Sequence, residues 1–184
     1  MTPASSLDPE PVSGSVRAGP LIVTAAFGPG DDGWLQQLRR AHYPPGRNRV
    51  PAHLTLFRQL PPGLAPELSR RLARAASAPP PRASVAGILD LGEGTALRVD
   101  SRELEAIRDD LAAAFHGLLT PQDLAPWRPH VTIQNKVAPK EARALQRRLR
   151  ASFEPRPLAI RALASWRYRD DGAWEPLKTH PFRG

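Results

Sequence analysis

Short apolar segments rich in β-branched residues alternate along this chain with segments whose apolar residues recur at helical spacing, and proline or glycine separates most of them. The first kind is typical of strands and the second of helices that bury one side. Strands are predicted at 21–27, from 53, at 82–90, 95–99, from 130, at 158–168 and at 174–178, and helices from 31 or 32, at 64–76, at 101–115 and at 139–151. The pattern therefore predicts an α+β fold.

The predicted elements occur twice in one order: strand, helix, strand, helix, strand. The spacing agrees as well, with 32 residues from Leu21 to His53 and 33 from Leu97 to His130. We therefore expect a bilobal, internally duplicated fold in which two antiparallel or mixed sheets flank a central groove, with helices outside and a pseudo-twofold axis between the halves. A groove on that axis is the expected functional site.

The second strand of this order carries the same short motif in both halves. The motif is His53-Leu54-Thr55-Leu56 in the first half and His130-Val131-Thr132-Ile133 in the second, 77 residues later. Because side chains alternate between the two faces of a strand, each motif presents its histidine and its threonine on one face and its apolar residues on the other. If the two strands share a groove, two imidazoles and two hydroxyls converge there.

Such a set of groups suits the cleavage of a cyclic phosphodiester, which needs a base for water and an acid for the departing ribose oxygen. Histidine titrates near pKa 6.5, so one imidazole can be neutral while the other is protonated. The threonine hydroxyls would donate to the phosphate oxygens, and this scheme needs no metal. Strand alternation and neighbouring charge give further candidate substrate contacts, namely Phe57, Arg58, Gln134 and Lys136.

Composition narrows the setting of this chemistry. The formal net charge is +8 and most basic residues are arginine, which favours an anionic partner such as RNA ends or cyclic nucleotides. The absence of cysteine excludes disulfides and thiolate metal sites. Residues 1–19 lack the apolar core of a signal peptide and are predicted to be a disordered tail, ahead of a single domain at 20–184. No apolar run is long enough to span a membrane, so we expect a cytoplasmic protein. We also expect it to be a monomer.

Other functions remain open on the residues alone. His42, His116 and His180 lie in unrelated contexts and are predicted to be surface or capping residues, although one of them could complete a metal site with the motif histidines. Threonine is a poor zinc ligand, which disfavours that interpretation. A protein that binds RNA or nucleotides without turnover would have the same charge and motifs, and a small cyclic-phosphate metabolite is an alternative substrate. Nucleophile elbows and phosphate-binding glycine loops are missing.

The segments 51–57 and 129–133, with the order of elements around them, resemble the two-histidine phosphoesterase superfamily, in particular the bacterial RNA 2',3'-cyclic phosphodiesterases also named 2'-5' RNA ligases. The resemblance implies that His53 and His130 are the acid and base, that Thr55 and Thr132 hold the phosphate, and that no metal, ATP or other cofactor is needed. It further implies hydrolysis to a 2'-phosphomonoester, with 2'-5' joining as a weak reverse reaction. Many RNA-acting relatives have a basic residue two positions after the first threonine, where this chain has Phe57.

Overall fold

The computed structural model describes residues 19–184, so the predicted tail lies outside the described residues except for Gly19. Within residues 19–184, eight strands and five α-helices follow one another. They are β1 Leu21–Phe27, α1 Pro29–His42, β2 Leu54–Leu60, α2 Ala65–Ala75, β3 Ser84–Asp90, β4 Gly94–Asp100, α3 Arg102–Ala114, α4 Pro121–Leu124, β5 His130–Asn135, α5 Pro139–Ala151, β6 Arg156–Pro157, β7 Ile160–Tyr168 and β8 Trp174–Pro181. The α+β prediction is confirmed.

All eight strands form one antiparallel sheet, in the order β6-β3-β4-β5-β2-β1-β7-β8. The prediction of two sheets is therefore wrong, and so is the mixed alternative. The physical reason is a backbone pairing between β2 and β5, which joins the two halves of the sheet. That pairing is short, because its register contains only Leu54 opposite Val131. We call this junction the seam.

The strand order is symmetric about the seam. β1 and β4 lie next to the motif strands β2 and β5, and β7 and β3 follow outward on the two sides. The last strand of each predicted half thus pairs within the other half of the sheet. This order agrees with an internal duplication, which stays a prediction together with its pseudo-twofold axis.

Helices pack on the sheet where apolar residues recur at helical spacing. α1 packs against β5, α2 against β7 and β8, and α5 against β3 and β4. In α3, Ser101 caps the first turn by accepting a hydrogen bond from the Leu104 amide, as its sequence pattern predicts. Across residues 19–184, none of the helices combines the length and the apolar character needed to cross a bilayer.

Candidate active site

The two His-x-Thr motifs meet at the seam. Since Leu54 lies opposite Val131 in an antiparallel pair, the register sets His53 across from Thr132 and Thr55 across from His130. Leu54 and Val131 are fully buried on the other face. The two histidines and two threonines all line one cavity of about 410 Å³. The structure thus brings these four predicted residues together in a single site.

Both catalytic candidates are held by the same backbone contact. The Nδ1 of His53 lies 2.7 Å from the carbonyl oxygen of Pro51, and the Nδ1 of His130 lies 2.6 Å from that of Arg128. Because a carbonyl oxygen only accepts hydrogen bonds, each Nδ1 carries a proton and donates it. Nε2 is then the ring nitrogen that remains for substrate in both rings.

A β-bulge after Thr55 corrects the prediction that Phe57 faces the substrate. On β1, Thr24 lies opposite Thr55 and Val23 lies opposite Phe57, so β2 has one extra residue at this point. Two consecutive β2 side chains therefore enter the core, and Phe57 is 0% exposed. The side chain that returns to the cavity is that of Arg58, which is also one of the candidates from the sequence.

A second bulge, after Thr132, has the same effect on β5. On β4, Ala96 lies opposite Thr132 and its neighbour lies opposite Gln134, which leaves one extra residue on β5. Gln134 is buried and its side-chain oxygen accepts a hydrogen bond from the Thr95 hydroxyl at 3.1 Å, so it does not reach the cavity as predicted. Asn135, which the sequence analysis missed, lines the cavity instead.

Lys136 is also outside the cavity lining. The strand ends at Asn135, and Lys136 follows with an exposed side chain and a positive φ of 62°. The alternation on which the Lys136 prediction rested does not continue past the bulge. The bulges shift the cavity-facing polar position by one residue on both motif strands, to Arg58 on β2 and Asn135 on β5. Each of these residues lies five positions after its motif histidine.

Side chains from the second half satisfy the β2 backbone where it parts from β5. The Thr55 carbonyl accepts a hydrogen bond from Trp127 Nε1 at 3.0 Å, and the Leu56 carbonyl accepts one from Arg108 Nε at 3.3 Å. The carboxylate of Asp123 accepts the amides of residues 58 and 59 at 2.9 and 3.0 Å. These side chains therefore replace β5 as partners of the β2 backbone beyond the single strand pair, and the cavity opens between the two strands.

Arg39 of α1 binds the opposite side of the seam. Its guanidinium donates to the Thr132 carbonyl at 2.7 Å, to the Val50 carbonyl at 2.9 Å and to Asn48 Oδ1 at 2.7 Å. The side chain is 3% exposed, lines the cavity, and has no carboxylate within ion-pair distance among residues 19–184. It adds an uncompensated positive charge to the site and fixes the loop between α1 and β2.

Aromatic side chains form another wall of the cavity. Trp174 contacts the His53 ring with centroids 4.7 Å apart, and Tyr43 and Tyr168 also line the cavity. Trp166 of β7 donates through Nε1 to the Thr24 hydroxyl at 2.9 Å and is absent from the lining. Trp174 was missed because its place depends on the hairpin between β7 and β8, although its position directly after the turn at 170–172 is a usable signal.

Burial lowers the pKa of both motif histidines. For His53 the pKa falls to about 4, mainly through burial, with smaller contributions from the charges of Arg39, Arg58 and His130, while the bond to Pro51 opposes the shift. For His130 burial is again the main cause of a lowered pKa, and Arg58 and Arg128 add to it. Both imidazoles are therefore neutral at pH 7 in the free protein.

The charge of the cavity selects for an anion. The lining residues within 19–184 include Arg39, Arg47 and Arg58 and no aspartate or glutamate. Arg49, in the same loop as Arg47, does not line the cavity. An entering phosphate would raise the pKa of both histidines by opposing charge, so that one of them can take a proton when substrate binds.

The remaining histidines lie elsewhere in the described part of the chain. His180 of β8 is 6% exposed, which corrects the surface or capping prediction, and its buried Nε2 has no hydrogen-bond partner there. His42 and His116 are more accessible, and neither lines the cavity. Within 19–184, no three His, Asp or Glu side chains cluster closely enough to hold a metal ion.

One antiparallel sheet that turns two His-x-Thr strands toward a basic cavity defines the class of two-histidine phosphoesterases. Residues 27–172 match the model of the 2'-5' RNA ligase superfamily. The match covers most of the chain, and the chain belongs to that superfamily. Membership supports an enzyme with phosphoesterase or ligase activity.

Solved structures with a similar fold cover nearly the whole described chain. TT0787 of Thermus thermophilus is 18% identical with a TM-score of 0.57, over 90% of this chain and 98% of that one. LigT of E. coli, crystallised with 3'-AMP, is 18% identical with a TM-score of 0.60, over 91% of this chain and 99% of that one. At this level of identity the likeness concerns the fold. No curated protein matches this sequence.

Proposed function

We propose that the chain hydrolyses a 2',3'-cyclic phosphodiester on RNA or nucleotide ends to a 2'-phosphomonoester. The observation that carries the proposal is the common cavity of two Nδ1-anchored imidazoles, His53 and His130, and two threonine hydroxyls among arginines. The superfamily match adds independent support for phosphoester chemistry.

In the proposed reaction the two imidazoles work on opposite sides of phosphorus. One Nε2 takes a proton from water, whose oxygen forms the new bond to phosphorus, and the other protonates the ribose 3'-oxygen as its bond to phosphorus breaks. Thr55 and Thr132 donate to the non-bridging oxygens, and Arg58 offsets the negative charge. With a 5'-hydroxyl in place of water, the same groups would form a bond from the 5'-oxygen to phosphorus while the bond to the ribose 3'-oxygen breaks, which is a weak 2'-5' ligation.

We assign the base to His53 and the acid to His130. A base must be neutral when substrate arrives, and the pKa of His53 is the more strongly lowered of the two, consistent with its contact with Trp174. His130 has no aromatic ring contact of that kind among the described residues. Its imidazole is therefore the easier of the two to protonate when a phosphate anion binds.

Nucleosides are the substrate class that the walls of the cavity favour. Tyr43, Tyr168 and Trp174 offer aromatic surface next to the cationic phosphate site, the combination with which proteins bind unpaired bases. The volume of about 410 Å³ falls in the range for a small-molecule ligand. LigT, the structural neighbour, has been crystallised with 3'-AMP, ATP and NADP+.

Turnover of nucleoside 2',3'-cyclic phosphates by trace enzyme tests the proposal, with product position determined by ³¹P NMR. We expect a 2'-monophosphate, a bell-shaped pH profile, and unchanged rates in EDTA. His53→Ala and His130→Ala should each lower kcat by about 10²-fold to 10⁴-fold, the usual worth of a general acid or base. His116→Ala, at an exposed histidine outside the cavity, is the matched control.

Two results would redirect the assignment. Stoichiometric binding of nucleotide without turnover would identify a non-catalytic binder. Turnover confined to a cyclic phosphate that lacks a nucleoside 2',3'-ring, such as an ADP-ribose 1'',2''-cyclic phosphate, would identify a metabolite phosphoesterase. Full activity in the double histidine variant would refute the His/His mechanism.

A further inference from the structure

A second, smaller cavity adjoins the candidate active site. Its volume is about 180 Å³, and it shares Thr55, Arg58, Gln122 and His130 with the large cavity. The other motif histidine and threonine, His53 and Thr132, do not line it. The small cavity therefore lies on one side of the reacting position, on the side of His130, and it is continuous with the site through shared walls.

The small cavity is positively charged at its accessible edge. Arg58 and Arg128 both line it with exposed side chains, and within residues 19–184 neither forms an ion pair. Of the described residues in its wall, Asp123 alone carries a carboxylate, and both of its oxygens accept amide hydrogen bonds from β2. That carboxylate is already committed to the backbone, so the two guanidinium groups remain available to an anion.

The size of the small cavity indicates what kind of anion it holds. Pockets for independent ligands usually enclose about 300 to 1,000 Å³, so a volume of about 180 Å³ fits only part of a larger ligand. Because the two cavities share walls, the group in the small cavity must belong to the same ligand as the group bound in the large cavity. In an RNA end whose cyclic phosphate reacts between the histidines, the adjoining charged group is the phosphodiester that links the last two nucleotides.

We propose that the small cavity is a second phosphate subsite, in which Arg58 and Arg128 bind the phosphodiester preceding the terminal nucleotide of an RNA 3' end. This inference rests on the proposed function and narrows its substrate class from any cyclic nucleotide to the end of a polynucleotide. It places Arg128 two residues before His130, so that the same segment that anchors the imidazole through its backbone carbonyl also binds the RNA chain through its side chain.

Binding of two product ligands tests the subsite without requiring turnover. Uridine 2'-phosphate fills only the large cavity, whereas the dinucleotide UpU carrying a terminal 2'-phosphate also presents the linking phosphodiester. Tryptophan fluorescence of the full chain gives Kd for both, at low and at physiological ionic strength. Arg128→Gln removes the proposed contact, and Arg147→Gln, at an exposed arginine of α5 outside both cavities, is the matched control.

We expect the wild-type protein to bind the dinucleotide about tenfold more tightly than the mononucleotide, as for one charge-assisted phosphate contact. The slope of log Kd against log salt concentration should be steeper for the dinucleotide by about 0.7, the value for one additional phosphate contact on a single strand. Arg128→Gln should reduce the tenfold preference to about twofold, while Arg147→Gln keeps it.

Equal affinity of the wild-type protein for both ligands would overturn the subsite, as would a preference that survives Arg128→Gln. Failure of the proposed function has a different signature. If the protein binds both ligands with the expected preference but never hydrolyses a cyclic phosphate, the subsite stands and the proposed reaction is refuted. If the protein binds neither ligand, both the subsite and the proposed function are refuted.

Discussion

The lowered pKa of His53 makes the stability of this fold depend on pH. The folded protein has a His53 pKa of about 4, against 6.5 for an ordinary histidine, so between these values the unfolded chain binds a proton that the folded chain does not. Stability from this group is therefore complete above about pH 6.5 and is lost as the pH falls toward 4. Integrated over that window, the loss at pH 4 is about 3 kcal/mol.

The variant His53→Asn isolates this contribution. Asparagine does not titrate and keeps a side-chain N–H that can donate near the Pro51 carbonyl. Urea unfolding, followed by tryptophan fluorescence from pH 7.5 to 4, gives the free energy of unfolding for both proteins. We expect the wild-type value minus the variant value to fall by about 3 kcal/mol across this range, because only the wild-type protein pays for excluding the proton.

A control and a refuting result follow from the same titration. His116→Asn changes an exposed histidine outside the cavity, and its curve should run parallel to that of the wild-type protein. Parallel curves for the wild-type protein and His53→Asn would refute the buried, cation-flanked environment described for this ring. A difference that grows toward low pH in favour of the wild-type protein would contradict the sign of the shift.

Three further predictions concern the phosphate site and the seam. Thr55→Ala and Thr132→Ala should each lower kcat/KM about 10²-fold if the hydroxyls stabilise the transition state as oxyanion donors do, whereas Thr179→Ala on the exposed side of β8 should not. Arg108→Met keeps the buried stem but leaves the Leu56 and Asp123 carbonyls without a donor. The free energy of unfolding measured in urea should therefore fall by about 2 kcal/mol or more. The exposed control Arg102→Met should lower it by about 0.5 kcal/mol or less. Gly94→Ala would bring a Cβ against the Gln134 carbonyl and within 2.8 Å of the Asn135 Cα, so the free energy of unfolding should fall by about 1 to 3 kcal/mol. In the control Gly33→Ala in α1, the new Cβ meets no atom of the described residues within 4 Å, and the variant should be neutral or stabilising.

Local periodicity was sufficient to predict the two motif strands and the joint orientation of their histidines and threonines. The same periodicity gave a wrong orientation just beyond each motif. It predicted that Phe57 and Gln134 face the cavity, whereas both side chains are buried on the other side. Alternation assumes a regular ladder, and the bulges arise from the register with β1 and β4, which are distant in sequence from the residues they affect. A single sequence carries no local sign of that register.

Two other features were beyond prediction for a related reason. Arginines on amphipathic helices ordinarily extend into solvent, and nothing in the segments around Arg39 and Arg108 distinguishes them from their neighbours. Their burial depends on backbone carbonyls that become free only where the seam opens. The two-sheet prediction failed at the same point, because one residue pair, Leu54 with Val131, is enough to make the sheet continuous.

The bulge after Thr55 also decides which side chain follows that threonine into the cavity. With a regular strand, Phe57 would occupy the inward position two residues after Thr55, and the cavity would lack the cation expected there. The bulge sends Phe57 into the core and gives that position to Arg58, whose charge lowers the pKa of both His53 and His130. The equivalent position on the other strand holds the neutral Asn135. The two motif strands thus present a cation on one side of the cavity and an amide on the other, so the two sides of the site differ in charge although their His-x-Thr motifs are the same.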